Sequence, residues 1–226
     1  MKKLLLLSAV FTSLLAAGQE TKILKQVLEL PIPREGGARA AQVAWHPVQK
    51  KYYAAMAGNS TFCLAVFDSK GNRISTPEQE TMFDVRGLWY NPTTKTLQMN
   101  GYSDFGWAEY KLGANGIPAG TTTLFSNMHQ PNEQSVGAFN PQKKKVYFFN
   151  DEGNIDVYDL SDGEYLENIE LHLGLAEGED GGMQENSDVY PDYNFTTTVY
   201  TGTKNAEIGL LNYSLRQVEL YNMATG

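Results

Sequence analysis

Apolar residues in this chain gather in short runs separated by compact groups of Pro, Gly, Asn, Asp and Lys. Three segments repeat one order of events: Val43-Ala44-Trp45-His46-Pro47 then Lys51 to Ala55, Leu88-Trp89-Tyr90-Asn91-Pro92 then Lys95 to Met99, and Gly137-Ala138-Phe139-Asn140-Pro141 then Lys145 to Phe149. Each reads as a short strand, an aromatic-polar-Pro turn carrying lysines, and a second strand, because brief apolar runs bounded by turn formers suit buried strands. The prolines fall at 47, 92 and 141, so the periods are 45 and 49 residues, the range in which repeats build four-stranded units in series.

Each unit continues alike. Phe62 to Phe67 leads through Asp68-Ser69-Lys70-Gly71-Asn72 to Arg73-Ile74; Trp107 to Leu112 leads through Gly113–Gly116 to Thr122–Phe125; Ile155 to Leu160 leads through Ser161-Asp162-Gly163 to Tyr165–Glu170. Gly and Asn in these turns permit the positive φ that tight hairpins demand. A more divergent fourth copy runs through Thr197–Thr201, Ile208–Asn212 and Arg216–Leu220, with Tyr190–Phe195 near its first turn. The expected fold is all-β: a β-propeller of about four four-stranded antiparallel blades, over residues 41–76, 85–126, 135–171 and 188–222, within a single domain spanning 19–226. Ile23–Leu30 reads as an extra outer strand. Because the fourth unit supplies its own outer strand, one strand is left over, and three arrangements stay open: four blades with a reinforced last one, a piece of a larger ring, or a ring completed by self-association.

The first residues change the cellular picture. Lys2 and Lys3 precede an apolar run from Leu4 to Leu15, and Ala16-Ala17-Gly18 supplies small residues suited to signal peptidase, so residues 1–18 read as a signal peptide and the product as periplasmic or secreted. The run is shorter than the ~20 residues of a membrane span, so no span is expected in the mature form. Cys63 is the single cysteine, which excludes an intramolecular disulfide and leaves stability to packing. The net charge is −8, opposite in sign to the basic surface that nucleic-acid binding requires; no nucleic-acid partner is expected.

Placing the strands in blades sorts the polar residues into two sets. One face collects Arg39, Asp84, Arg86, Glu133 and Gln134, with Asn59, Asn100, Tyr102, Asp104, Asn150 and Asp151 on neighbouring loops; the other collects Lys50, Lys51, Lys95, Lys143, Lys144 and Lys145. Arg39 and Arg86 offer planar forks to a carboxylate or sulfate, or pair with Asp84 and Glu133 between blades. The ligand-binding candidates are therefore Arg39, Arg86, Glu133, Asn59, Asn100 and Asn150. The lysine run reads as a solvated turn. Glu177 to Asp192 is rich in carboxylates, which can hold calcium, but its spacing lacks the alternation of an EF-hand loop. Glu133 and Asp188 are the weak metal candidates, and calcium the one cofactor to consider. His46 occupies the turn position of Asn91 and Asn140 and is expected to serve the turn. Trp45, Trp89 and Trp107 are expected to pack between blades.

On its aromatic-X-Pro turns and four-strand period, the chain over residues 41–222 resembles the secreted bacterial β-propeller superfamily, which includes NHL-like and surface-antigen-like blades. The resemblance implies a ligand or partner surface at the mouth of the central channel. No catalytic motif accompanies it: there is no Gly-X-Ser-X-Gly elbow and no phosphate-cradling glycine loop. The expected function is thus an exported binding or interaction scaffold for an extracytoplasmic protein, small molecule or glycan. The alternative is a divalent-metal-dependent lactonase or related hydrolase, similar to the gluconolactonase propellers, with Glu133, Asn59, Asn100, Asn150 and Asp188 as candidate ligands.

Overall fold

The computed structural model describes residues 26–32, 40–57, 64–76, 79–173, 193, 198–213 and 215–226. Among the described residues, fourteen strands form four antiparallel sheets in chain order. The first sheet holds β1 (Ala40–His46), β2 (Lys51–Ala57) and β3 (Leu64–Asp68); the second holds β4 (Val85–Asn91), β5 (Thr96–Gly101), β6 (Trp107–Leu112) and β7 (Pro118–Phe125). The third holds β8 (Ala138–Asn140), β9 (Lys145–Phe149), β10 (Ile155–Asp159) and β11 (Tyr165–Ile169), and the fourth β12 (Val199–Tyr200), β13 (Ile208–Asn212) and β14 (Gln217–Tyr221). Within each sheet every strand pairs with its neighbour in sequence, and no sheet closes on itself. The all-β expectation holds among the described residues, where the only helical element is a single 3-10 turn at Ser103–Phe105.

Side chains of the polar turn residues shape the first hairpins. Asn91 Oδ1 accepts from the Thr93 amide at 2.9 Å, Asn140 Oδ1 accepts from Gln142 and Lys143 at 3.0 and 3.1 Å, and His46 Nδ1 accepts from Gln49 at 3.3 Å. Burial lowers the His46 pKa, which keeps that nitrogen an acceptor. Positive φ in these turns falls on Lys50 (50°), Lys95 (61°) and Lys144 (54°), and on Arg216 (53°) between β13 and β14. The capping side chain, together with the closing Lys95 N to Asn91 O bond of 2.8 Å, holds a left-handed conformation that a glycine would adopt more readily.

The sheets pack face to face, and three apolar seams hold the stack. Ala44, Tyr53, Ala55, Leu64 and Val66 of the first sheet meet Val85, Leu88, Leu97, Met99, Ala108 and Tyr110 of the second. Trp89 and Trp107 of the second meet Phe139, Val146 and Phe148 of the third. Tyr147, Phe149, Ile155 and Val157 of the third meet Ile208, Leu210 and Tyr221 of the fourth. Central strands such as β9 serve two seams at once, which is why Val146 to Phe149 is apolar without alternation. Each fully buried large side chain contributes about 1.5–3 kcal/mol, so stability resides in these seams. β1 lies beside β4, β4 beside β8, and β8 beside β12.

Three expectations are corrected. Among the described residues the first sheet has three strands: Arg73 makes an isolated bridge to Phe67, and the Ser75 hydroxyl takes the Val66 amide at 2.9 Å where a ladder carbonyl would, so the ladder breaks there although Ile74 and Gln79 still bond Val66 and Leu64. Among the described residues the fourth sheet has three strands, and most of 188–197, ahead of β12, lies outside them. Of the extra strand expected at 23–30, the described residues 26–30 form no strand; Leu30 and Ile32 instead lie as a strap on Ala54, Met56, Ala65 and Phe67. Trp89 and Trp107 are buried as expected, but Trp45 points to the outer side of the first sheet, where it stacks on Tyr52 at 4.5 Å. Residues 1–18, read above as a signal peptide, Cys63 and the acidic segment 177–192 lie outside the described residues.

Candidate functional site

The start of β4 assembles the polar cluster with the most unusual geometry. Val85 pairs with Gly101 and Gly87 with Asn100, leaving Arg86 as the extra residue of a β-bulge, a device that re-aims a side chain. Its guanidinium is buried, donates from Nη2 to Asp84 Oδ2 at 3.1 Å, and lies 4.7 Å from the centre of the Tyr102 ring. Its Nε is buried with no hydrogen-bond partner. The Tyr102 amide donates to the Asp84 carbonyl at 2.8 Å, which ties the ring to the start of β4. A hydrogen bond to Glu133, followed by desolvation and the Glu133 charge, raises the Tyr102 hydroxyl pKa.

Beside this cluster, residues 102–105 wrap a concavity of about 400 Å³ lined by Tyr102, Ser103, Asp104 and Phe105. The tight turn requires positive φ at Ser103 (48°) and Gly106 (69°), and Phe105 is anchored edge-on to Phe83 at 5.4 Å. Asp84, Arg86, Tyr102 and Glu133 therefore lie together at the start of β4. The Arg86 partner is Asp84, two residues earlier and just ahead of β4, rather than a carboxylate across a seam.

Asn100 performs a different task. It is fully buried; Nδ2 donates to Gln130 Oε1 at 2.6 Å and to the Ser135 carbonyl at 2.8 Å, while Oδ1 accepts the Gly137 amide at 3.0 Å. Gln130 in turn donates to the Gly101 carbonyl at 2.9 Å. This network bolts the second sheet to the third where β4 and β8 approach most closely. Asn150 Oδ1 accepts the Glu152 and Asn154 amides at 3.0 and 2.9 Å and its Nδ2 donates to Asp156 at 3.0 Å, so it shapes the turn between β9 and β10. Both amide oxygens are engaged by backbone N–H groups. Arg39, Asn59 and Asp188 lie outside the described residues, and among those described no three His, Cys, Asp or Glu side chains gather as a metal site.

The fourth sheet holds a cluster that the sequence pattern did not reveal. Glu219 accepts from Tyr193 Oη, from Tyr221 Oη at 2.6 Å, and from Asn212 Nδ2 and Gln217 Nε2 at 3.0 Å each. Burial alone would raise its pKa, yet these four donors outweigh burial and hold it below the ordinary glutamate value of 4.5. Stability from this cage is therefore present above pH 4.5 and lost as pH falls through the folded-state value. Glu219→Gln is expected to be less stable than the parent at neutral pH and to show a flatter decline below it. Urea midpoints between pH 7 and about pH 3 measure both; parallel curves would refute the assignment. The only available sequence signal was the placement of Glu219 and Tyr221 on the same face of an otherwise exposed strand.

No family model matches the sequence, and no curated protein matches it. Among solved structures the chain is similar to the computationally designed Ika4 protein, at 14% identity and a TM-score of 0.40, over 89% of this chain and 99% of that one. It is similar to the computationally designed Ika8 protein at 15% identity and 0.38, over 80% and 45%. It also matches hydrazine synthase of Kuenenia stuttgartiensis at 16% identity and 0.34, over 56% and 36%. The chain thus spans less than half the length of the last two.

Proposed function

We propose that this chain is an exported, non-catalytic binding scaffold of the β-propeller kind, its four sheets serving as blades and its ligand seated at the concavity beside Arg86. The observation that carries the reading is the guanidinium of Arg86, fixed in a bulge, neutralised by Asp84 and held against the Tyr102 ring at the rim of an open hollow. With its charge matched by Asp84, Arg86 acts here as a brace for Tyr102 more than as an anion receptor. The hollow then offers the Tyr102 and Phe105 rings beside the Ser103 hydroxyl and the Asp104 carboxylate. Aromatic faces flanked by polar hydrogen-bonding groups suit a neutral glycan, whose C–H faces stack and whose hydroxyls need partners. The lactonase alternative draws no support from Asn100 or Asn150, since their amide oxygens already accept backbone N–H bonds.

A glycan array probed with the full chain is expected to return saturable binders, with affinity falling roughly tenfold or more in Tyr102→Ala, whose lost stacking contact is worth about 1–2 kcal/mol. The reading fails if no glycan binds, if the binders ignore the Tyr102 substitution, or if the chain hydrolyses a lactone while binding nothing.

A further inference from the structure

A second cleft, of about 420 Å³, opens at the opposite, lysine-bearing end of the seam between the second and third sheets. It is lined by Asn91, Thr93, Thr94, Gln98, Leu124, Phe125, Lys144, Leu160 and Ser161. One wall is apolar: Leu124, Phe125 and Leu160 pack directly on the buried cluster of Trp89, Trp107 and Phe148. The polar side carries Asn91, Thr93, Thr94, Gln98, Lys144 and Ser161. Gln98 is 4% exposed and receives the Asn91 Nδ2 proton on Oε1 at 3.0 Å. Its Nε2 has no hydrogen-bond partner among the described residues and is not sealed in the interior, and Gln98 lines the cleft. A buried amide donor left unpaired is costly unless a ligand or water meets it. Lys144 lines the same cleft, whereas the neighbouring lysine, Lys145, is held by Glu167 at 2.7 Å. Of the nearby carboxylates, Glu109 accepts from Thr96 Oγ1 at 2.9 Å, and Asp159 accepts from the Ser161 amide and hydroxyl at 2.7 and 2.6 Å; those Ser161 bonds, and in smaller part the charges of Lys145 and Lys144, hold its pKa below the ordinary value.

From this arrangement we infer that the cleft is a binding site for a small amphipathic monocarboxylate. The carboxylate accepts from Gln98 Nε2 and from the Lys144 ammonium, and the apolar body lies along Leu124, Phe125 and Leu160. The Gln98 amide donor suits an acceptor headgroup, and the charge on Lys144 favours an anionic one over its neutral isostere. This site is separate from the Arg86 hollow and independent of its ligand.

The test is calorimetric titration of the full chain with 4-phenylbutanoate and with 4-phenylbutanamide. The carboxylate is expected to saturate, and the amide to bind about tenfold more weakly or worse. Gln98→Glu preserves the acceptor for Asn91 but replaces the donor with a like charge, and should weaken carboxylate binding by roughly tenfold or more. Lys144→Gly suits the positive φ at that position, so it removes the ammonium without straining the turn; a loss of about threefold or more is expected. Absence of saturable binding up to about 10 mM, equal affinity for acid and amide, or full binding by folded Lys144→Gly would overturn the assignment. Thermal unfolding of each variant establishes that it is folded.

Discussion

Replacing Gly87 with alanine is expected to cost about 3 kcal/mol of stability, which in a domain of this size lowers the melting temperature by roughly 10 °C. The reason is a close approach of two backbones. A Cβ on Gly87 would lie 2.5 Å from the Gly137 amide nitrogen and 2.9 Å from its carbonyl oxygen, and it would collide with Asn100 Oδ1. Two of these three obstacles are main chain, so no rotamer change relieves them, and β4 must separate from β8. Gly209 makes the matched control: a Cβ there meets Leu220 and Val218 at 3.4 and 3.5 Å, ordinary contact distances. Gly209→Ala should therefore be neutral or gain about 0.5 kcal/mol from the reduced freedom of the unfolded chain. Chemical denaturation of the two variants separates an effect of the β4–β8 contact from a general intolerance of added methyl groups.

The second large effect is expected at Asn100. Truncation to alanine strands the Gly137 amide, the Ser135 carbonyl and Gln130 Oε1 in the interior together. Each orphaned buried group costs about 1–3 kcal/mol, so a loss of about 3–5 kcal/mol is expected. Because Gln130 belongs to the same network, Gln130→Ala and Asn100→Ala should combine for well under the sum of their separate effects. Additive losses in that cycle would mean that the two amides act independently and that the bolt between sheets is misread.

The sheets were legible in the sequence because their signals are local. Strand and turn positions in the first three units follow from apolar runs and the Asn91-Pro92 and Asn140-Pro141 pairs, and even the divergent fourth unit places β13 at Ile208–Asn212 as the pattern suggested. What escaped was set by distance. Asn100 looks like any loop polar residue, and only the approach of Gly137 and Gln130, 37 and 30 positions away, gives it an interior role. Gln130 carried no signal at all. The positive φ values fell on lysines because a capping side chain four residues earlier imposes the turn, an interaction that composition does not display. Arg86 was singled out for its charge, yet the bulge that aims it depends on the register between β4 and β5, which no single strand encodes. Trp45 shares its motif position with buried aromatics, but it lies on the outer side of the first sheet beyond the partial cover of the strap, so the same local pattern ends half-exposed.

The central claim is that the second and third sheets meet face to face with β4 against β8, and the Gly137 amide reports on it directly. Gly137 precedes β8 and contributes no amide to its ladder; its hydrogen-bond acceptor is the Asn100 side chain of the neighbouring sheet. Residue-resolved hydrogen exchange on the full chain should find this amide among the slowest, opening only with global unfolding, and Asn100→Ala should release it by orders of magnitude. Exchange at Gly137 as fast as in an unprotected loop, or unchanged by the loss of Asn100, would contradict the stacked arrangement.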